Sequence, residues 1–290
     1  MKKTISVILC LVLMLCSVSS LVFAKDESFY LVLGDSIGYG SGIKNSQEAC
    51  YGKIIADTNG FGYANHAVPG HTTTNLLQVL EKEDVVGDVK KADIISISIG
   101  GNDFLMSNLT NLMFEAMVLK NYSRFDEIEK GFYSNFCEII RVIRSHNADA
   151  VILMQTLYNP QSGHLRAPYQ QGADRINEAI ARYNEEHLGE IVVVDVATVL
   201  GDDMENYASD GVHPSKKGNE AIAETIQQKL CELSLASASA LVINNEGQDI
   251  ENVAFAAIIN FYAGVFHILS VVYDIVFGFF SKIPVPYPIG

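Results

Sequence analysis

Two short blocks near opposite ends of the chain carry residue types that together can break an ester. The first, Gly34-Asp35-Ser36-Ile37-Gly38, sets a serine between glycines. A serine hydroxyl is a weak nucleophile until a neighbouring base takes its proton. The second block, Asp210-Gly211-Val212-His213-Pro214, offers such a base. An acid three residues before a histidine can reach round one turn and hold the imidazole Nδ1–H, leaving the other ring nitrogen free for the serine. Each block alone is a weak signal. The first is equally a glycine turn with a capping serine, and the second a polar loop with an incidental histidine. As a pair they point to Ser36 as nucleophile, His213 as general base and acid, and Asp210 as its orienting partner.

Two further blocks could hold the negative charge that such an attack creates. Asn65-His66-Ala67-Val68-Pro69-Gly70 ends on a glycine whose backbone N–H is unhindered, and Gly100-Gly101-Asn102-Asp103 offers a side-chain amide. The N–H groups of Ser36 and Gly70 with the Asn102 amide could surround a tetrahedral oxyanion, and one such donor can lower a barrier by about 3 kcal/mol. Asp103 reads as a helix cap or a loop-fixing group, because Asp210 already stands where the acid–histidine geometry requires it. His71 could touch a substrate but has no acid near it in sequence. His66, His146, His164 and His187 read as surface or turn residues.

Something must bring these distant blocks to one place. Apolar runs suited to buried parallel strands recur at Phe29 to Leu33, Gly62 to Val68, Asp93 to Ile99, Ala150 to Met154 and Ile191 to Val196. Helical stretches lie between or after them, roughly Thr72 to Glu81, Asp103 to Lys120, Arg124 to His146, Ala173 to His187 and Ser215 to Glu232. This alternation predicts a parallel sheet covered on both faces, in one domain over residues 25–233. In such folds, sites form beyond the carboxyl ends of the strands. The serine, glycine and asparagine blocks each directly follow a predicted strand.

The ordered set Gly-Asp-Ser-Ile, Gly70, Gly-Gly-Asn-Asp and Asp-x-x-His resembles the SGNH, or GDSL, hydrolase superfamily. The match runs from Phe29 to about Leu230, with the blocks in the family's order and Ile37 where the family name has leucine. The resemblance implies a flavodoxin-like three-layer α/β/α fold with a mostly parallel five-stranded sheet. It implies Ser36, Asp210 and His213 as catalytic residues, Ser36, Gly70 and Asn102 as the oxyanion hole, and no metal or organic cofactor. The α/β-hydrolase elbow shares the Gly-x-Ser-x-Gly pattern but fails on position, since several strands precede the serine in those enzymes. The expected activity is carboxylic ester hydrolysis through an acyl-enzyme. Two substrates compete, acyl lipids as in lysophospholipases and O-acetyl groups on cell-wall or plant polysaccharide. A catalytically silent, envelope-anchored binding module is the reading from another class.

Composition and the chain ends set the context. Of 290 residues, 34 are acidic and 20 are Lys or Arg, a net charge of −14. That surface repels nucleic acid and is not drawn to anionic lipid. Lys2 and Lys3, an apolar stretch from Ile5 to Cys16, and Val22-Phe23-Ala24 make a secretory signal over residues 1–24, so export outside the cytoplasm is expected. Cys10 and Cys16 leave with it, and the odd set Cys50, Cys137 and Cys231 leaves at most one disulfide and no metal spacing. Residues 234–252 read as a linker. Residues 253–281 are almost wholly apolar and longer than the roughly 20 needed to cross a bilayer. Their length favours a membrane anchor over an interfacial helix or one folded onto the enzyme. Asn260, His267 and Asp274, with Gly264 and Ser270 nearby, form a polar stripe expected to face protein or water. Phe104, Met106, Met113, Phe114 and Met117 could pack a core or line an acyl pocket.

Overall fold

A computed structural model describes residues 28–237, 240–243 and 247–280. The expected signal segment lies outside these residues. The strands are β1 (Phe29–Gly34), β2 (Gly62–Asn65), β3 (Ile94–Ser98), β4 (Val151–Gln155) and β5 (Val192–Val194). They form one sheet in the order β2-β1-β3-β4-β5, with every pairing parallel. This is the flavodoxin-type order, which reverses direction between β1 and β3 and opens a crevice there.

Among the described residues twelve α-helices connect and cover these strands: α1 (Ser36–Tyr39), α2 (Ser46–Ala49), α3 (Tyr51–Asn59), α4 (Thr73–Val79), α5 (Glu83–Lys91), α6 (Gly101–Leu105), α7 (Leu109–Met117), α8 (Ser123–His146), α9 (Arg166–Glu186), α10 (Val196–Leu200), α11 (Lys216–Glu232) and α12 (Val253–Phe280). Strand side chains alternate between two cores, as the period of two requires. Leu31, Leu33, Ile95 and Ile97 face Leu76, Val89, Phe132, Phe136 and Ile176 from α4, α5, α8 and α9. Tyr30, Val32, Ile94 and Leu153 face Tyr51, Ile55, Ile222 and Ile226 from α3 and α11. The sheet is therefore the middle of three layers.

The single helix predicted over Asp103 to Lys120 is two. Asn108 sits at φ 62°, left-handed, and its side chain accepts from the Asn111 N–H at 3.4 Å to start α7 afresh. Asparagine tolerates that conformation because its short amide bonds locally. Cys50 and Cys137 are free thiols.

Residues 234–252 lie against the domain where they are described. Leu235, Ala236, Leu241 and Ile243 pack on the α3–α11 core. Asp249 pairs antiparallel with Ile43, and the Lys44 and Ile250 N–H groups donate to the carbonyls of Gln248 and Gly42 at 2.8 and 3.1 Å.

The helix α12 docks along the domain beside α7 through an apolar stripe, with most of the polar stripe on its exposed side. Ala263, Phe266 and Ser270 are buried, Ile259 and Tyr273 half-buried, and Asn260, His267 and Asp274 exposed. The spacing of four and three residues is that of an amphipathic face. The surface beneath is apolar (Met117, Val118 and Leu165), so it pairs with the apolar stripe and leaves the carboxylate and amide in water. Two polar contacts flank the seam. Lys120 donates to Ser270 Oγ at 2.7 Å, and His267 stacks on His164 with ring centroids 3.8 Å apart.

Candidate active site

Between β1 and α1 the chain turns on Gly34, at φ 125°. A Cβ there would lie 1.9 Å from the Ser98 carbonyl oxygen, so only glycine lets β1 end this close to β3. The Asp35 N–H then donates to that same oxygen at 2.9 Å. Asp35 caps α1 by accepting from the Ile37 N–H at 3.0 Å, and its Oδ1 also takes the Ser98 hydroxyl at 3.2 Å. The Ser98 Oγ in turn accepts from Gly38 N–H at 2.9 Å. Ser36 is thereby fixed, buried, as the first residue of α1 at the carboxyl end of β1. Its N–H is the one in this turn without a hydrogen-bond acceptor among the described residues.

Burial pushes the Asp35 carboxyl up to about 7, partly offset by the Ile37 N–H, the Ser98 hydroxyl and the nearby His213. A buried acid that titrates near neutrality directly before the serine is an electrostatic feature of the site.

The histidine loop reaches the same end of the sheet. His213 Nδ1 lies 2.6 Å from Asp210 Oδ2. Asp210 Oδ1 also accepts from the backbone N–H groups of Val212 and His213 at 2.9 and 3.0 Å. Burial raises the Asp210 carboxyl, but these bonds outweigh it and hold its pKa below the usual carboxylate value. An ionised Asp210 accepts only, so Nδ1 carries the proton toward it and Nε2 is left with a lone pair. Tyr158 steadies the loop by donating to the Val212 carbonyl at 2.8 Å.

Gly42 joins the two loops. A Cβ at Gly42 would fall 1.9 Å from the Pro214 carbonyl oxygen and 3.2 Å from His213 Cβ. The chain six residues past Ser36 thus runs directly against the histidine. Residues 249–252 bind both sides of this seam. Beyond the bond to Gly42 and the bridge to Ile43, Asp249 Oδ1 accepts from Lys216 N–H at 2.6 Å, and Ser209 Oγ bridges the Ile250 carbonyl and the Asn252 N–H at 2.9 and 2.8 Å.

Gly70 and Asn102 are brought together beyond β2 and β3. The buried Asn102 spends one amide N–H on the His71 carbonyl at 3.0 Å, which leaves its second for a ligand. Gly70, at φ 83°, presents an N–H with no acceptor among the described residues. Asp103 fixes the loop after Gly70, accepting from the Thr73 N–H at 3.1 Å and the Thr73 hydroxyl at 2.6 Å, and Asn135 in α8 donates to that hydroxyl at 2.9 Å. His66 pairs with Asp88 at 2.6 Å, away from any nucleophile. Among the described residues no group of three or more His, Cys, Asp or Glu could hold a metal.

Ser98, Gly42, Thr73 and the 249–252 strap are parts of this site that sequence reasoning missed. Ser98 alone left a trace: in the Ile-Ile-Ser-Ile-Ser of β3, Ser96 and Ser98 put hydroxyls on one face of an otherwise apolar strand.

The arrangement has a hydroxyl at a strand end, an imidazole held by an ionised acid, and N–H donors at Ser36, Gly70 and Asn102 without a second partner among the described residues. That set suits acyl transfer. Comparison with known proteins agrees. The model of the GDSL-like lipase/acylhydrolase family matches residues 32–221. The spore germination lipase LipC of Bacillus licheniformis is 29% identical over 208 residues, 68% of this chain and 94% of its own. An uncharacterised Bacillus subtilis protein, YpmR, is 26% identical over 175 residues, 57% of this chain and 65% of its own. The chain thus spans just under two thirds of YpmR. Among solved structures, a lipase from a goat rumen metagenome has TM-score 0.59 at 24% identity, covering 69% of this chain and 96% of its own. Phospholipase A1 of Streptomyces albidoflavus has TM-score 0.56 at 17% identity, covering 70% of this chain and 99% of its own. Both of these share the fold.

Proposed function

The chain belongs to the GDSL-like lipase/acylhydrolase family, and from that premise we propose that it hydrolyses carboxylic esters with Ser36, His213 and Asp210. Ser36 Oγ attacks the ester carbonyl while His213 Nε2 takes its proton, and Asp210 holds the imidazolium that results. The tetrahedral oxyanion is met by the Ser36 and Gly70 N–H groups and the free Asn102 amide N–H. His213 then gives the proton to the departing alcohol, and an acyl-enzyme remains on Ser36. Water, deprotonated by His213, releases the acid and restores the hydroxyl.

The observation that supports this reading is the short Asp210–His213 contact in a loop packed on Gly42, six residues past Ser36. The test compares wild type and Ser36→Ala on p-nitrophenyl acetate and in labelling by a fluorophosphonate probe. The expected result is turnover and label in wild type alone. A labelled Ser36→Ala protein would remove Ser36 as nucleophile, and an unlabelled, inactive wild type would favour the silent binding module.

Of the two substrate classes, an acyl lipid is the reading favoured here over an acetylated polysaccharide. A likeness to a named lipase and the exposed apolar face of α12 support it. Ala256–Phe277 is long and apolar enough to cross a bilayer, yet its stripe from Ile259 to Tyr273 is packed on the catalytic domain. A helix so packed cannot cross a bilayer without taking a charged domain into hydrocarbon. The docked helix fits a protein that is exported and rests on a lipid surface, with Phe261, Ile268, Val272 and Ile275, each more than half exposed, entering the acyl boundary. Wild type is expected to sediment with neutral phosphatidylcholine vesicles, and Ile268→Asp with Ile275→Asp to stay in solution. Equal sedimentation of both would refute the seat.

A further inference from the structure

The helix α12 and the catalytic domain enclose a cavity of about 300 Å³. That volume is at the lower end for small-molecule sites, which run from about 300 to 1,000 Å³. Its domain side is made by Leu105, Met113 and Val212, and its outer wall by Ile259, Ala263 and Phe266 of α12. Val212 directly precedes His213, and Leu105 ends α6, the short helix that carries Asn102. The cavity is thus lined by the residue just before the proposed general base and by the last residue of the helix that carries a proposed oxyanion donor.

Its lining is almost entirely apolar. Gln161 and Thr110 are among its few polar residues, and the Gln161 amide is already engaged, donating to the Gly211 carbonyl at 3.1 Å. A space of this kind offers water few partners and suits a hydrocarbon chain. Met113 adds an unbranched, adaptable side chain at its base. The outer wall is held in place independently of any ligand, by the Lys120–Ser270 hydrogen bond, the His164–His267 stack and the Phe114–Phe266 edge contact at 6.5 Å.

We propose that this cavity binds the acyl chain of the substrate ester and that α12, which lies outside the segment matching the family, supplies its outer wall. The proposal rests on the Ser36–His213 reading. The acyl carbon bonded to Ser36 sits between His213 and Asn102, and its hydrocarbon tail runs past Leu105 and Val212 under Ala263 and Phe266. The carboxyl-terminal helix then sets which acyl lengths are accepted.

The test uses full-length protein and p-nitrophenyl acetate, octanoate and laurate, and reads ratios of kcat/KM. Ala263→Phe places a ring in the cavity, and the octanoate-to-acetate ratio is expected to fall tenfold or more. Phe266→Ala lengthens the cavity, and the laurate-to-octanoate ratio is expected to rise at least threefold. The second variant carries the test by itself if the larger side chain at residue 263 prevents folding. Ratios within twofold of wild type in the folded variants overturn the acyl site, whatever the total activity. Ser36→Ala, assayed beside them, separates the two readings: its loss of turnover on all three esters with unchanged ratios elsewhere leaves the esterase and removes the cavity. Turnover persisting in Ser36→Ala strikes the parent reading instead.

Discussion

Asp35→Asn is expected to stabilise this protein, and increasingly so as the pH rises. Asp35 is buried, and burial pushes its carboxyl from 3.8 up to about 7. Between these values the unfolded chain has released the proton while the folded chain still holds it. The folded state then binds more protons than the unfolded one, so this group's contribution to stability falls as pH rises from about 4 to about 7, then levels off. A shift of roughly three units at about 1.4 kcal/mol each sets a ceiling of about 4 kcal/mol on that loss. Asparagine has no proton to lose, and its carbonyl can still accept from the Ile37 N–H and the Ser98 hydroxyl, so the variant escapes the penalty without unfastening the turn. At roughly 2–4 °C per kcal/mol for a domain of this size, that ceiling lets the Tm advantage of the variant grow by at most about 8 to 16 °C between pH 4 and pH 8. Thermal unfolding of both proteins across that range, followed by circular dichroism, reads the difference directly, and shared titrations cancel. Parallel Tm curves for the two proteins would show that Asp35 titrates as an ordinary carboxylate and that its burial carries no such penalty.

Three other substitutions probe the site from different sides. Asp210→Asn removes the charge that orients His213 through the 2.6 Å contact, and kcat on p-nitrophenyl acetate should drop by about 10³ to 10⁴, with KM nearly unchanged; a loss under tenfold would show that His213 needs no acid. Gly42→Ala drives a methyl into the Pro214 carbonyl and should cost about 10² in kcat/KM by displacing the histidine from the serine turn, with a fall in Tm measured alongside. Full activity in that variant would mean the two loops adjust independently. Asn102→Ala should lower kcat by about 10² to 10³ if its second amide N–H meets the oxyanion, and a change in KM alone would place it in ground-state binding.

The parallel sheet could be read from the sequence because each strand is a continuous apolar run between glycine or helical segments, and burial on both faces demands that pattern. Its observed order adds what composition cannot hold, namely which strands are neighbours. The serine, glycine and asparagine blocks stood out for a related reason: each lies at or just past the end of a strand run, and together with the Asp-x-x-His block their residue types are rare in combination. What escaped notice acts through backbone or over long separations. Gly42 matters only because Pro214 lies against it, and Ser98 because Asp35 crosses above it. Nothing local marks either position. The carboxyl-terminal helix shows the same limit in reverse. Its length and apolarity were plain, but the inward stripe was set by the apolar patch of Met117, Val118 and Leu165, which exists only once α7 and the loop holding Leu165 have folded. The break at Asn108 likewise depends on a left-handed backbone angle that many sequences would not adopt.

The strap at residues 249–252 has a consequence for the order in which the enzyme becomes competent. It ties Gly42 and Ile43 on one side to Ser209 and Lys216 on the other, and it is among the last parts of the domain to be synthesised. A nascent chain can close its sheet and both cores while the two catalytic loops still lack their common fastening. On the proposed triad, hydrolytic power would therefore arrive only once residues 249–252 have been made, and a protease nick between the strap and α11 would slacken both loops at one stroke.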